Sequence, residues 1–107
     1  MFQLEFSEKV NSDIVSVLKY INEVLEAPRA AKEHYNELIE TYNKLKENPF
    51  KRSFVQNKYL ASKDIRSINV KNYILFYKIN EEKNKVLLYR FLYSKRDWIN
   101  ILSKEIE

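Results

Sequence analysis

Phe2, Leu4 and Phe6 alternate with Gln3 and Glu5, the two-residue period of a strand with one buried face. The period then lengthens. Ser7 is placed to cap a helix with Glu8 in its first turn. Val10, Ile14, Val17, Ile21 and Val24 recur at three- and four-residue spacing and carry that helix to about Leu25. Pro28 suits the first turn of a second helix, where its missing N–H costs nothing. Ala31, Tyr35, Leu38, Tyr42 and Leu45 form a second apolar stripe that ends before Asn48 and Pro49. So short a linker predicts that the two helices fold back as an antiparallel hairpin.

Residues 50–64 are basic and irregular, with Lys51, Arg52, Lys58 and Lys63 interleaved with Phe54, Tyr59 and Leu60, and suit either a mobile connection or a target-binding loop. Three runs rich in β-branched and aromatic residues follow at 65–70, 73–79 and 86–93, predicting strands. Lys71 and Asn72 fit a two-residue hairpin turn, with Asn72 in the left-handed conformation that glycine would otherwise take. The polar stretch 80–85 makes a longer turn, so the three strands read as an antiparallel meander. In the last run Leu87, Tyr89, Phe91 and Tyr93 alternate with Val86, Leu88, Arg90 and Leu92. Both faces are then largely apolar, as in a strand central to its sheet, and Arg90 is the odd residue, requiring a partner or an open cleft. Ser94 is placed to cap a short amphipathic helix bearing Trp98, Ile101 and Leu102. The predicted fold is α+β, in the order β-α-α-β-β-β-α, within a single domain spanning 1–107.

Composition removes function classes more than it suggests them. At 45% hydrophobic and 32% charged residues, the chain is that of a folded globular domain. It contains no glycine, which excludes Walker-type phosphate loops, dinucleotide fingerprints and glycine nucleophile elbows. The absence of cysteine excludes disulfides, thiolate zinc sites and cysteine nucleophiles. The single histidine, His34, has no Cys, His or Asp at ligand spacing and reads as a partly exposed structural residue. No metal or cofactor is implied. No membrane helix or targeting segment is apparent, which fits a cytoplasmic protein.

Charge is divided along the chain. Residues 1–50 hold six Lys/Arg against nine Asp/Glu, and the remainder thirteen against six. A basic C-terminal half suits a polyanion or an acidic partner, and equally a solvated lysine-rich surface.

The order of elements resembles that of the RelE/ParE toxins of bacterial type II toxin–antitoxin modules, and so do two stretches of residues. Residues 65–79, with Arg66, the Asn72-Tyr73 turn and the triplet Tyr77-Lys78-Ile79, are similar to the family's arginine, turn and strand. Residues 86–98, ending in Ser94-Lys95-Arg96-Asp97-Trp98, are similar to its closing strand and basic-acidic-aromatic signature. The resemblance implies a growth-inhibiting toxin neutralised by a cognate antitoxin protein. It also implies one of two targets: DNA gyrase, bound and inhibited, or ribosome-associated mRNA, cleaved without a metal. Arg66, Lys71, Arg90, Lys95, Arg96 and Trp98 are the implied target-binding residues. In a nuclease, Arg66, Tyr93, Lys95 and Arg96 would carry the chemistry. Ile74 stands where ribosome-dependent cleavers often place an arginine, and no histidine accompanies Tyr93, so the pattern leans toward the gyrase-directed branch. A non-toxic nucleic-acid-binding or adaptor domain on the same fold is the remaining reading.

Overall fold

A computed structural model describes residues Met1–Ile106. A four-stranded sheet in the order β1-β4-β3-β2 carries helices on both faces. The strands are β1 (Gln3–Phe6), β2 (Arg66–Val70), β3 (Tyr73–Asn80) and β4 (Lys85–Tyr93). β2, β3 and β4 form the expected antiparallel meander, and β1 pairs with β4 in parallel, Gln3 opposite Lys85 and Phe6 opposite Leu88. The parallel edge follows from topology: the hairpin α1 (Glu8–Lys19) and α2 (Pro28–Glu47) separates β1 from the meander and makes the crossover a parallel pair needs.

Ser7 caps α1 as predicted, accepting the Val10 N–H at 2.9 Å. The helix continues as a π-helical turn, Tyr20–Val24, with the Leu25 N–H reaching the Tyr20 carbonyl. Residues 50–64 are more ordered than the sequence suggests. A 3₁₀ turn (Pro49–Lys51) and the short helix α3 (Lys58–Ser62) stand there, with Asn57 accepting the Leu60 N–H, and Val55 bonds back to the Ile65 carbonyl. The last helix, α4, runs Trp98–Ile106. Its cap is Asp97, whose carboxylate accepts the Asn100 N–H at 3.3 Å, and not Ser94, whose N–H instead ties to the Asn72 carbonyl. At the β2–β3 turn the residue with positive φ is Lys71, at 53°, and not Asn72. Lacking glycine, the chain also places Glu26, Asp64 and Asn84 at positive φ.

Two apolar layers result. On the hairpin side Val10, Leu38, Leu45, Leu75, Tyr77, Val86, Leu88 and Phe91 pack together. On the other side α3 and α4 cover Phe76 and Leu92 with Leu60 and Leu102, joined by Ile65 from the link between α3 and β2. Strict alternation along β4 fails at one point. Phe76 lies opposite Arg90 and Tyr77 opposite Leu88, so Tyr89 is an extra, bulged residue. Side-chain parity flips there, which is why Leu88 and Phe91 share one face while Tyr89 and Leu92 share the other.

Candidate functional site at the β4–α4 end

The bulge sits where β1 has ended, and the exposed edge of β4 is closed by α1. Ser7 donates its N–H to the Leu88 carbonyl and its hydroxyl to the Tyr89 carbonyl, at 3.1 and 2.8 Å. The Asp13 carboxylate accepts the Phe91 N–H at 2.9 Å. Arg90, turned by the bulge to the face that α4 covers, lies between α1 and α4. Nε and Nη2 donate to Asp13 at 2.7 and 2.9 Å, and Nη1 donates to both oxygens of Glu105, at 2.5 and 3.0 Å. Lys9 adds a fourth charge, 2.8 Å from Glu105. The Asp13 hydrogen bonds raise the Arg90 pKa above its ordinary value, against a smaller opposing effect of burial. Arg90 is thereby partnered on every side, as a cation within a sheet demands.

Arg66 stands at the far end of β2 from the Lys71-Asn72 turn. Its Nη1 donates to the Arg52 carbonyl at 2.6 Å, and its guanidinium lies 4.1 Å from the centre of the Phe54 ring. Trp98 opens α4 and packs against Phe76, ring centroids 5.3 Å apart, in the apolar layer beneath that helix. Ile74 belongs to the same layer. His34 bonds the Ala30 carbonyl through Nδ1 at 2.7 Å and presents its ring edge-on to Tyr73.

The remaining site residues do converge. Lys71, Tyr93, Lys95 and Arg96 gather at one end of the sheet, where the Ser94 to Asn72 bond joins the end of β4 to the β2–β3 turn. Lys95 and Arg96 are exposed, with no carboxylate in ion-pair range among the described residues, while Lys71 lies 3.9 Å from Glu37. Beside Arg96 a groove of about 430 Å³ opens between α1 and the ends of β3 and β4. Tyr20, Tyr73 and Tyr93 line it with Phe91. Tyr73 stacks on Phe91 at 5.2 Å and meets Tyr93 edge-on at 5.6 Å. Burial, reinforced by the neighbouring phenols of Tyr20 and Tyr93, pushes the Tyr73 pKa up. Sequence reasoning missed Tyr20 and Asp13. Tyr20 stands three residues after Val17 and four before Val24, so its spacing does not distinguish it from a packing residue of the first helix, and only the tertiary fold reveals that Asp13 meets a strand edge.

A larger hollow, about 580 Å³, lies at the opposite end of the sheet. Its charged lining is Glu5, Glu81 and Glu82 against Lys78, Lys83 and Lys85, with Lys85 paired to Glu5 at 2.8 Å. It has no aromatic platform and no excess of either charge. Among the described residues no three His, Cys, Asp or Glu side chains gather as a metal site would require, and no helix is long and apolar enough to cross a membrane.

Residues 4–98 match the family model of the ParE toxin of the type II toxin–antitoxin system parDE. A search of curated proteins finds no match. Among solved structures, the fold is similar to the chromosomal ParDE system of P. aeruginosa, with TM-score 0.70 at 12% identity over 89% of this chain and 98% of that one. It is also similar to the RelBE2 toxin–antitoxin complex of Mycobacterium tuberculosis, with TM-score 0.61 at 16% identity over 86% and 96%. The isolated RelE toxin of E. coli aligns over the whole of both chains, with TM-score 0.57 at 15% identity.

Proposed function

The chain belongs to the ParE toxin family of type II toxin–antitoxin systems, and from that premise we propose that it inhibits growth by binding DNA gyrase, without cleaving RNA. The observation that carries this reading is the chemistry absent beside the exposed cations. Cleavage at a ribose 2′-OH needs a base to take its proton and an acid for the leaving oxygen, held within hydrogen-bond reach of the phosphate. The titratable groups that line the groove beside Arg96 are three phenols and the Asp13 carboxylate; Asp13 is already engaged by Arg90 and the Phe91 N–H, and Tyr73 holds its proton more tightly than an ordinary tyrosine. The one histidine is turned to a backbone carbonyl. The position where ribosome-dependent cleavers often carry an arginine is Ile74, packed into the apolar layer under α4.

In this reading Lys71, Tyr93, Lys95 and Arg96 form the target-binding rim, and Arg90 and Trp98 position the strand and helix that carry it. The cognate antitoxin is a small protein whose C-terminal segment folds on binding. The hairpin offers it exposed apolar side chains, Val15, Val24, Leu25, Tyr35 and Ile39 among them, and the rim offers cations to its acidic residues. Inducing the chain with and without the adjacent gene tests both parts. Loss of plasmid supercoiling with intact transcripts, relieved by the neighbour, is the expected result. Codon-positioned cuts found by primer extension would instead assign the ribosome-dependent nuclease activity. Unimpaired growth with well-folded protein would point to a non-toxic binding domain.

A further inference from the structure

We propose that the groove between the π-helical turn and the ends of β3 and β4 is a binding site for a nucleotide, with the base stacked among Tyr20, Tyr73 and Tyr93 and the phosphate held by Arg96. The inference does not depend on gyrase being the target.

Three observations define the occupant. The first is shape: the groove's volume falls within the roughly 300–1,000 Å³ typical of small-ligand sites, and flat rings form its walls. Tyr73 is fixed in the floor by its stack on Phe91, while Tyr20 and Tyr93 remain 48% and 39% exposed and free to close on a planar guest. The second is polarity. None of these three phenols has a protein hydrogen-bond partner among the described residues, whereas the buried Tyr77 phenol donates to the Pro49 carbonyl at 2.6 Å. Open phenol oxygens beside apolar ring faces suit a heterocycle with both a π-face and polar edges. The third is charge. The groove's only carboxylate, Asp13, is neutralised by Arg90 and by the Phe91 N–H, so Arg96 acts on the site uncontested. An anionic aromatic guest satisfies both features, and a cationic one would meet Arg96 unfavourably. The π-helical turn is the local device: its wider turn ends α1 with Tyr20 over the groove.

The shared chemistry is a nucleobase with a phosphate, available as a free nucleotide or as an unpaired residue of a strand. The test titrates the full-length protein, by heteronuclear NMR, with AMP, adenosine, ribose 5-phosphate and a hexameric oligoadenylate. AMP is expected to saturate the resonances of Tyr20, Tyr73 and Tyr93, binding about tenfold more tightly than adenosine or ribose 5-phosphate. Arg96→Gln should abolish the AMP advantage over adenosine, Tyr93→Ala should weaken both, and Lys58→Gln on α3, which does not line the groove, should change neither. Hexamer binding that exceeds AMP by tenfold or more and falls with salt identifies a strand as the source, and equal binding per nucleotide a free nucleotide. The proposal is overturned if ribose 5-phosphate matches AMP, if Arg96→Gln retains the AMP advantage, or if AMP leaves the tyrosines unmoved. It is likewise overturned if an acidic tryptophan-containing peptide saturates the groove while AMP is inert. These readouts involve no growth assay, so their failure is separable from failure of the toxin reading.

Discussion

Arg90 and Arg96 lie close in sequence, on the last strand and in the turn after it, yet their surroundings are opposite. Arg90 makes four hydrogen bonds to two carboxylates, one from α1 and one from α4, and its side chain is 13% exposed. Arg96 is exposed at the rim of an aromatic groove and pairs with no carboxylate among the described residues. The difference follows from where helices pass the sheet edge. β1 ends opposite Leu88, and from there α1 and α4 flank β4, so a cation at the bulge is captured by both. Beyond Tyr93 the chain has left the sheet, and α4 turns back beneath it, leaving the next cations facing outward. One arginine joins the elements together, and the other is available to a partner.

Removing Arg90 should break that contrast most severely. Arg90→Met leaves Asp13 and Glu105 facing each other with Lys9 as the remaining cation, and urea unfolding should show a loss of about 2–3 kcal/mol. Losing a partner from a fully buried pair costs roughly 3–5 kcal/mol, and partial solvent access at this site reduces the effect. Adding Asp13→Asn and Glu105→Gln should recover part of the loss, because the uncompensated charges are then gone. A loss below about 0.5 kcal/mol would mean that the network holds nothing together.

A parallel contrast holds between the tyrosines, since Tyr77 is fully buried and hydrogen-bonded while those of the groove are open. Burial pushes the Tyr77 pKa up to about 12 from the ordinary 10, against lesser opposing effects of Arg66 and Arg52. The folded chain therefore keeps a proton that the unfolded chain releases as pH rises above 10. The corresponding stability is fully present below pH 10 and declines through about pH 12. Tyr77→Phe leaves the Pro49 carbonyl unpaired and should cost about 1–2 kcal/mol at neutral pH. Its stability should fall less steeply above pH 10, so that the two denaturation profiles approach each other. Parallel profiles would show that Tyr77 does not govern the alkaline limb.

Much of this architecture is written in periodicity. The hairpin helices, the meander and the first strand each show one clear apolar repeat, and the elements formed where those repeats lie. What stayed illegible depends on contacts between distant segments. β1 gives no sign of its parallel partner, because alternation specifies a buried face but not a neighbour. The bulge at Tyr89 is invisible in a run apolar on both faces, and with it the turn of Arg90 toward the face that α4 covers. Ser94 and Asp97 are both acceptable caps, and the Asn72 carbonyl, from another strand, engages Ser94 and leaves Asp97 to the helix. For the site, adjacency in the sequence places Lys95 and Arg96 together on the exposed rim. It could not separate Arg66, held on Phe54 at the far end of β2, from the cations of the rim.

The smallest expected change in stability accompanies Arg96→Gln. The side chain is exposed and has no carboxylate partner, and substitutions at such surface positions usually fall within about 0.5 kcal/mol. Unfolding of Arg96→Gln and of Lys95→Gln should therefore coincide with that of the parent chain, while growth inhibition on induction is lost or sharply reduced. That pairing is the inverse of Arg90→Met, in which lost toxicity would accompany lost stability. The charge-conserving Arg96→Lys separates two origins of the effect. A planar guanidinium stacks on rings and donates in a fork, whereas an ammonium supplies charge alone. If Arg96→Lys restores inhibition, the rim acts through its field; if it does not, the geometry of the arginine against the tyrosines is what the target reads. Should Arg96→Gln itself lower stability by 2 kcal/mol or more, Arg96 would be a structural cation like Arg90 and the division between the two would collapse.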